Sequence, residues 1–292
     1  MIPGFRSVTK SKPCPICGKP DWCVVSLDGA KVGCQRVESP TLFGKAGWLH
    51  RVKIDNPVLV QRYFPQQRPE INAEQIHQSH AAAITEQEVA ALATSIGVST
   101  QSLVELGVGS AKGWPSGTYS FPMRDAKGKA IGIRLRNMKG KKWAVLGSKC
   151  GLFFRLGTKW GDIVWCVEGP TSTAALLSIG FNVIGRPSNL SGRDHLVGLV
   201  KIIKPKIVVV VSENDGREDC SFCTDNLCQH CKPGEWGAYV TAASLEGLAD
   251  HILVLHPMVG KDVRDWIIGG ATAATLMEQV NAQIRQGTED AA

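Results

Sequence analysis

The chain has 292 residues, a formal net charge of +7 and a sequence pI of about 8.9. Hydrophobic residues make up 43% and charged residues 20%, which are ordinary values for a globular protein of roughly two domains. No stretch approaches the ~20 consecutive apolar residues of a membrane span, and the N-terminus lacks the apolar core of a signal peptide. We therefore expect a cytoplasmic protein without a membrane partner.

Four cysteines lie near the N-terminus in a segment rich in glycine, proline and lysine. The first two form a Cys-Pro-x-Cys-Gly turn, and four thiolates meet the tetrahedral preference of Zn²⁺. A typical ribbon ends in a second Cys-x-x-Cys pair, which is absent here, so Cys23 is the expected fourth ligand and His50 is the alternative. We predict a zinc ribbon over residues 1–50 with the ligands Cys14, Cys17, Cys23 and Cys34.

The next hundred or so residues read as a linker followed by a small basic subdomain. Residues 51–85 contain three prolines and several glutamines, which predicts a linker. Residues 86–107 carry apolar side chains at helical spacing, which predicts a small helical pair. Residues 117–155 alternate like strands and contain two basic, glycine-containing turns, which indicates an antiparallel meander. Together, residues 86–158 are predicted to form an α+β subdomain.

The predicted meander is strongly basic. Between residues 124 and 142, eight lysines and arginines stand against the single acid Asp125. Arg134 and Arg136 are two residues apart in one predicted strand, so both guanidiniums would project from the same face, which suits phosphate. For any single lysine here, a solvated hairpin face explains the charge equally well.

From residue 159 onward, strand patterns alternate with helical ones, which predicts a parallel α/β sheet with helices on both faces. Two of these strands end in acids, the first at Glu168 and the second at Glu213 and Asp215. Active residues of open α/β sheets gather beyond the carboxyl ends of the strands. Three carboxylates brought together favour a shared proton or a bound cation, and their oxygens suit Mg²⁺ or Mn²⁺. For one acid alone, a strand-end cap is the simpler explanation.

A second group of four cysteines interrupts the α/β pattern soon after Asp215. Its two Cys-x-x-Cys pairs are a strong signal for zinc in a reducing cell. We predict a zinc-stapled insert over residues 216–235, in which the metal replaces a core that so short a loop lacks. Contact with nucleic acid or nucleotide, and redox sensing, are the alternatives. The predicted ligands are Cys220, Cys223, Cys228 and Cys231.

The order strand, Glu-Gly turn, helix, strand, helix, strand ending in acid-x-acid resembles the Toprim domain of primases, topoisomerases and related nucleases. The resemblance implies a Toprim-like parallel sheet flanked by helices over residues 159–292. It also implies that Glu168 acts as general acid or base and that Glu213 and Asp215 hold the divalent metal. The family pattern is usually Asp-x-Asp, so Glu213, with its additional methylene, is a departure.

Three further segments resemble primases in particular. Lys261 and Asp262 stand in a Lys-Asp-x-x-Asp segment like the one that follows the last Toprim strand in primases, which implies a phosphate contact and support of the metal site, respectively. The N-terminal ribbon resembles the template-contacting ribbons of phage, plasmid and bacterial primases. The basic meander resembles the segment before the Toprim domain of phage-type primases, where basic residues bind template, nucleotide and nascent primer. Here these residues would be Arg124, Arg134, Arg136, Lys141 and Lys142.

This layout implies a DNA primase, a nucleotidyltransferase that makes short RNA primers from NTPs on single-stranded DNA with Mg²⁺ or Mn²⁺ and two zinc sites. No Walker motif is present, so a replicative helicase is expected as a separate partner. A topoisomerase needs a catalytic tyrosine, and none of the three tyrosines stands in a recognisable strand-passage context. The alternatives are a Toprim-type nuclease and a non-catalytic, zinc-containing DNA-binding replication accessory.

Overall fold

The computed structural model describes residues 4–43, 47–52, 69–216 and 231–289. The chain divides into two compact units, one described as far as residue 52 and a larger one described from residue 69 onward. In neither unit does a described helix have the length and apolar character needed to cross a membrane.

The N-terminal unit is an antiparallel sheet of four short strands. Its small core consists of Val8, Val32 and three of the cysteines, so few apolar side chains hold it together. Glycine at position 33 is required by space, because a Cβ there would lie 2.4 Å from the ring of Phe43. In sheet order the strands are β1 (Phe5–Ser7), β2 (Val24–Ser26), β3 (Lys31–Cys34) and β4 (Trp48–Arg51).

The larger unit begins with three helices and a second antiparallel sheet. The helices are α1 (Ala73–Ala83), α2 (Glu86–Ile96) and α3 (Thr100–Glu105). In sheet order the strands are β5 (Gly109–Ser110), β6 (Thr118–Arg124), β7 (Ala130–Asn137) and β8 (Lys142–Ala144). One face of the sheet, including Ile133 and Leu135, packs against α1, while Tyr119 and Phe121 on the other face pack against α2 and α3.

The predicted linker over residues 51–85 is wrong in its C-terminal part, where residues 73–83 form α1. The helix starts at Asn72, whose side chain accepts a hydrogen bond from the Gln75 backbone N–H at 3.1 Å. Its buried side includes Ala73 and His80, so the apolar periodicity that marks a helix is weak. Residues 53–68 lie outside the described residues.

The remainder of the unit is a parallel sheet in the order β10-β9-β11-β12, flanked by helices on both faces. Helices α5 and α6 pack on one face, and α4, α7 and α8 on the other. The predicted fold class is confirmed. The elements are β9 (Ile163–Glu168), α4 (Gly169–Ser178), β10 (Val183–Arg186), α5 (Arg193–Ile203), β11 (Ile207–Val211), α6 (Pro233–Ser244), β12 (His251–Leu255), α7 (Val263–Ile268) and α8 (Ala273–Glu289).

A short extended segment joins the two sheets of the larger unit. Leu152 exchanges backbone hydrogen bonds with Arg124 at the end of β6, at 2.7 Å in each direction. The next residue, Phe153, does the same with Gly185 in β10, at 2.7 and 2.8 Å. Because both bridges are main-chain contacts, they fix the antiparallel sheet beside the edge strand of the parallel sheet.

Candidate active site

Glu168 is the last residue of β9 and the residue that precedes α4. Gly169 follows with a φ of 79°, a conformation that favours glycine although nothing would crowd a Cβ there. The side chain of Glu168 makes no capping hydrogen bond to α4, so the Glu-Gly turn directs the carboxylate elsewhere. Burial raises the pKa of Glu168, against the opposing influence of Arg186 and Lys142.

Glu213 follows β11, the neighbour of β9 in the sheet. Its side chain is 14% exposed, and its Oε2 lies 3.4 Å from Nζ of Lys261. Burial, and after it the negative charge of Glu168, raise the pKa of Glu213 to about 7. The two glutamates therefore share one poorly solvated region.

Asp215 connects this region to α6. Its Oδ1 accepts a hydrogen bond from the Gly234 backbone N–H at 2.9 Å, in the first turn of the helix. A Cβ at position 234 would lie 2.6 Å from the Glu213 carbonyl oxygen and 2.8 Å from Asp215 Oδ1. Asp215 thus binds the N-terminus of α6, and this hydrogen bond orients a carboxylate whose charge contributes to raising the pKa of Glu168.

Lys261 and Asp262 reach the same region from the loop after β12. Asp262 is the N-cap of α7, where its Oδ1 accepts from the Asp265 backbone N–H at 3.0 Å. Asn214, which the sequence analysis missed, ties this loop to the end of β11. Its backbone N–H donates to the Lys261 carbonyl at 2.6 Å, and its side-chain amide donates to Pro257 and Gly260 carbonyls at 2.8 and 3.1 Å. An asparagine between two acids gave no sequence signal for this role.

The β7–β8 hairpin contributes positive charge near Glu213 and Asp262. Arg136 lies opposite Lys142 in the strand register, and Arg134 is on the same face opposite Ala144. Lys142 is open to solvent, yet enough protein surrounds it that desolvation, together with Arg136, lowers its pKa, while Glu213 and Asp262 act to raise it. Two like charges directly opposite each other destabilise a sheet by roughly 0.2–1 kcal/mol. A bound anion would relieve that repulsion.

Of the five residues predicted to bind nucleic acid or nucleotide, Lys141 and Arg124 have different surroundings. Lys141 is exposed, with its Nζ 5.9 Å from the centroid of the Trp143 ring. The prediction that Arg124 binds nucleic acid or nucleotide is wrong, because the residue is only 3% exposed. Its guanidinium donates to the Gly128 carbonyl at 3.1 Å and lies 3.3 Å from Nε2 of His77. Burial lowers the pKa of Arg124, whose side chain lies in the interior of the larger unit and makes contacts there.

Arg186 is a buried cation that the sequence analysis also missed. It ends β10 opposite Glu168 in the parallel register and is 1% exposed. Its Nη1 donates to the Asn189 carbonyl at 2.5 Å and to Thr241 Oγ1 at 2.7 Å. After burial, its charge is the strongest influence on the pKa of Glu168, which it lowers. The segment around it reads as an ordinary strand end, so the pattern hid its role.

The N-terminal unit brings its four cysteine sulfurs within 4.8 Å of one another. Cys17 and Cys23 Sγ are 3.7 Å apart, and Cys23 and Cys34 Sγ are 3.9 Å apart. Tetrahedral zinc with Zn–S distances of ~2.3 Å places its sulfurs ~3.8 Å apart, so the cluster fits one zinc ion. His50, the alternative ligand, has its Nε2 2.9 Å from the Val37 carbonyl oxygen. Burial and the neighbouring thiols raise the pKa of Cys23 to about 12, and a cation would reverse this effect.

The acidic centre, which comprises Glu168, Glu213, Asp215 and Asp262, is more open than the thiol cluster of Cys14, Cys17, Cys23 and Cys34. Within the described ranges, no three carboxylates come as close together as those sulfurs do. The donor set of Glu168, Glu213, Asp215 and Asp262 still fits Mg²⁺ or Mn²⁺, since Mg²⁺ is usually held by one or two carboxylates together with water and substrate phosphates. The second predicted zinc cluster falls largely on residues 217–230, outside the described residues, and stays a prediction.

No protein-family profile and no curated protein matches this sequence. Solved primase structures match its fold. The DnaG primase catalytic domain bound to ssDNA aligns with a TM-score of 0.51 and 12% identity, over 73% of this chain and 77% of that chain. The E. coli primase catalytic core aligns with a TM-score of 0.52 and 12% identity, over 72% and 78%. The Aquifex aeolicus primase, with its zinc-binding and RNA polymerase domains, gives 0.51 and 14%, over 72% and 60%. The chain has the fold of DnaG-type primase catalytic cores.

Proposed function

We propose that this chain is a DNA primase that synthesises short RNA primers from NTPs on single-stranded DNA. The observation that carries the proposal is the arrangement of charge at the carboxyl ends of β9 and β11. Carboxylates from two strand ends and from the N-cap of α7 are influenced electrostatically by the cations of the β7–β8 hairpin. Nucleotidyl transfer needs this combination, because a triphosphate must be held beside a divalent metal.

Each residue has a specific role in the proposed reaction. Glu168, with its raised pKa, takes the proton from the 3′-hydroxyl as that oxygen bonds to the α-phosphorus of the NTP, and pyrophosphate leaves. Glu213 and Asp215 hold Mg²⁺ or Mn²⁺, with Asp262 in support, and the metal would neutralise triphosphate charge when bound. Arg136, Lys142 and Lys261 bind phosphates, while Arg134 and Lys141 contact template or primer.

The N-terminal unit, with zinc held by its four cysteines, contacts the single-stranded template. A replicative helicase is a further proposed partner. The shared fold with primase catalytic cores supports the proposal at the level of architecture.

The test is primer synthesis on single-stranded DNA with labelled NTPs and Mg²⁺. We expect the wild type to produce short oligoribonucleotides and Glu168→Gln to lose at least about 100-fold in rate, the lower range for general-base catalysis. Glu246→Gln, the same change at an exposed acid in another part of this unit, serves as the control and should match the wild type.

Other outcomes identify the alternatives. Cleavage of the template by the wild type, lost in Glu168→Gln, would indicate a nuclease. Unchanged DNA binding by both proteins, with no product from either, would indicate a non-catalytic accessory.

A further inference from the structure

Arg186, the last residue of β10, is a buried cation without an ionic partner. The residue is 1% exposed. Within the described parts of the chain it forms no ion pair with a carboxylate, and its Nε has no hydrogen-bond partner. Enclosing a charge without an opposite charge beside it is costly, and an apolar side chain would pack there more easily. Core packing alone therefore does not account for an arginine at this position.

The hydrogen bonds of Arg186 join two other segments to the end of β10. Its Nη1 donates to the Asn189 carbonyl at 2.5 Å and to Thr241 Oγ1 at 2.7 Å. The Thr241 hydroxyl donates its own hydrogen to the Gly237 carbonyl at 2.7 Å, so its lone pairs face other donors. One buried side chain thus binds both the loop after β10 and the helix α6.

The loop after β10 also lies directly against the first turns of α6. Nδ2 of Asn189 donates to the Pro233 carbonyl at 3.0 Å. A Cβ at Gly237 would lie 2.6 Å from the Asn189 Cβ, so only a residue without a side chain permits this approach. The N-cap residue of α6, Lys232, makes no capping hydrogen bond with its side chain. Contacts from outside the helix therefore hold its first turn.

These contacts continue from α6 to the acidic centre. Gly234, next to Pro233, donates its backbone N–H to Asp215 Oδ1 at 2.9 Å. Asn189 and Asp215 therefore bind adjacent residues of one helical turn. A displacement of that turn would move the Asp215 carboxylate, and Mg²⁺ demands near-ideal octahedral geometry from its ligands.

We propose that Arg186 and Asn189 hold α6 against the end of β10 and thereby position the Asp215 carboxylate for a divalent cation. We call this pair the α6 clamp. The inference rests on the proposed function in one respect, since it takes Asp215 as a ligand of that cation. Both members of the clamp are positioning residues, which act through α6 and touch neither metal nor substrate.

The test measures the binding of Mn²⁺ alone to the zinc-loaded, full-length chain, by the loss of the free Mn²⁺ signal in electron paramagnetic resonance. Asp215→Asn identifies the Mn²⁺ that belongs to the acidic centre, because that site should be lost. Asn189→Ala removes the donor to Pro233 and leaves the backbone carbonyl that accepts from Arg186. We expect Asn189→Ala to weaken Mn²⁺ binding at this site about fivefold, which corresponds to the net contribution of one hydrogen bond.

Two substitutions test the arginine itself. Arg186→Met keeps a long side chain and loses both hydrogen bonds, so Mn²⁺ binding should weaken at least about tenfold. Arg186→Lys keeps a donor and should bind Mn²⁺ more tightly than Arg186→Met. If Arg186→Met does not fold, Thr241→Val replaces it in the test. That variant removes only one acceptor and should weaken binding about threefold.

Amide exchange distinguishes positioning from a general loss of stability. In Asn189→Ala the Gly234 amide should exchange about fivefold faster, while the amides of β9 and β11 and the urea midpoint stay as in the wild type. The matched control is Asn281→Ala, at an exposed asparagine on α8. It should change neither Mn²⁺ affinity nor the exchange of Gly234.

Three results would overturn the proposal. The first is wild-type Mn²⁺ affinity in Asn189→Ala and in either Arg186→Met or Thr241→Val. The second is weaker binding together with faster exchange throughout the larger unit, because the clamp would then only stabilise the fold. The third is a wild type without any Mn²⁺ site that depends on Asp215.

Primer synthesis by the wild type separates this inference from the proposed function. A chain that makes no primers, but whose Mn²⁺ affinity depends on Asn189, retains the clamp and refutes the primase. A chain that makes primers while its Mn²⁺ affinity is independent of Asn189 refutes the clamp alone.

Discussion

The thiol cluster and the acidic centre are both predicted metal sites, yet the fold assembles them differently. All four thiols come from one short segment, and their sulfurs lie within 4.8 Å of one another. The acids come from the ends of β9 and β11 and from the N-cap of α7, which are far apart in sequence. Local spacing thus defines the first site, whereas the second exists only once a parallel sheet has formed.

The two sites also differ in how completely the protein surrounds the metal. Four cysteines fill the coordination of Zn²⁺, and the nearby His50 contacts a backbone carbonyl instead. Closed sites of this kind are structural, whereas catalytic sites keep positions open for water or substrate. The carboxylates would supply only part of the coordination of Mg²⁺ or Mn²⁺, and Lys261 lies beside Glu213.

The largest expected effect is the unfolding of the N-terminal unit when the thiol cluster loses its zinc. Cys34→Ser should unfold the N-terminal unit, because structural zinc contributes on the order of 10 kcal/mol to folding and the core there is small. Zinc content should fall by one ion per chain from the predicted two, and amide exchange should become fast in residues 4–52 alone. Cys150→Ser, at an exposed cysteine outside both clusters, should change neither measurement. Protected amides in Cys34→Ser would contradict a structural role for the zinc.

A smaller effect is expected where the acidic centre depends on packing. Gly234→Ala places a methyl group against Glu213 and Asp215, which should cost about 1–3 kcal/mol of unfolding free energy and at least tenfold in primer synthesis. At Gly216 a methyl would make only ordinary contacts of 3.5 and 3.6 Å. Gly216→Ala should therefore behave like the wild type in denaturant unfolding and in activity. Equal behaviour of the two variants would contradict the close approach of α6 to the acids.

The smallest effect should come from a region outside both sites. Burial lowers the pKa of His77 and His80 on α1, with the charge of Arg124 also acting on His77. Each imidazole therefore takes up its proton at a lower pH in the folded state than in the unfolded chain. Stability is complete above the ordinary pKa of 6.5 and declines as the pH falls through and below it.

Urea unfolding at several pH values measures this effect. The double variant His77→Gln, His80→Gln should flatten the decline below pH 6.5, and His251→Gln, at an exposed histidine, should not. If all three proteins lose stability in parallel, the decline originates elsewhere, for example in protonation of the thiol site.

Much of the fold could be predicted from sequence, because β9 and β11 are short apolar runs and β6 and β7 are strand-like segments on either side of a glycine-containing turn. Glu168, Glu213 and Asp215 could be located for the same reason, as each follows such a run. Helix α1 was missed because two histidines occupy its buried side. Arg124 was misassigned because charge alone does not distinguish an exposed cation from one enclosed by α1 and a turn.

The residues that sequence reasoning missed make contacts between distant segments. Arg186 contacts Thr241, which lies on a helix beyond the next strand, and Asn214 contacts carbonyls of the loop before α7. Neither residue belongs to a local pattern, since both partners are remote in sequence. Only a three-dimensional arrangement could reveal them.

The hydrogen bond between Asp215 and Gly234 has a consequence for how the chain can vary in length. It joins one residue on each side of the cysteine-rich segment, so the two ends of that segment lie beside each other. Doubling the length of a loop whose ends already meet costs only about 0.6 kcal/mol in closure entropy. This junction is therefore a place where a stretch of sequence can be gained, lost or exchanged while β11 and α6 keep their alignment.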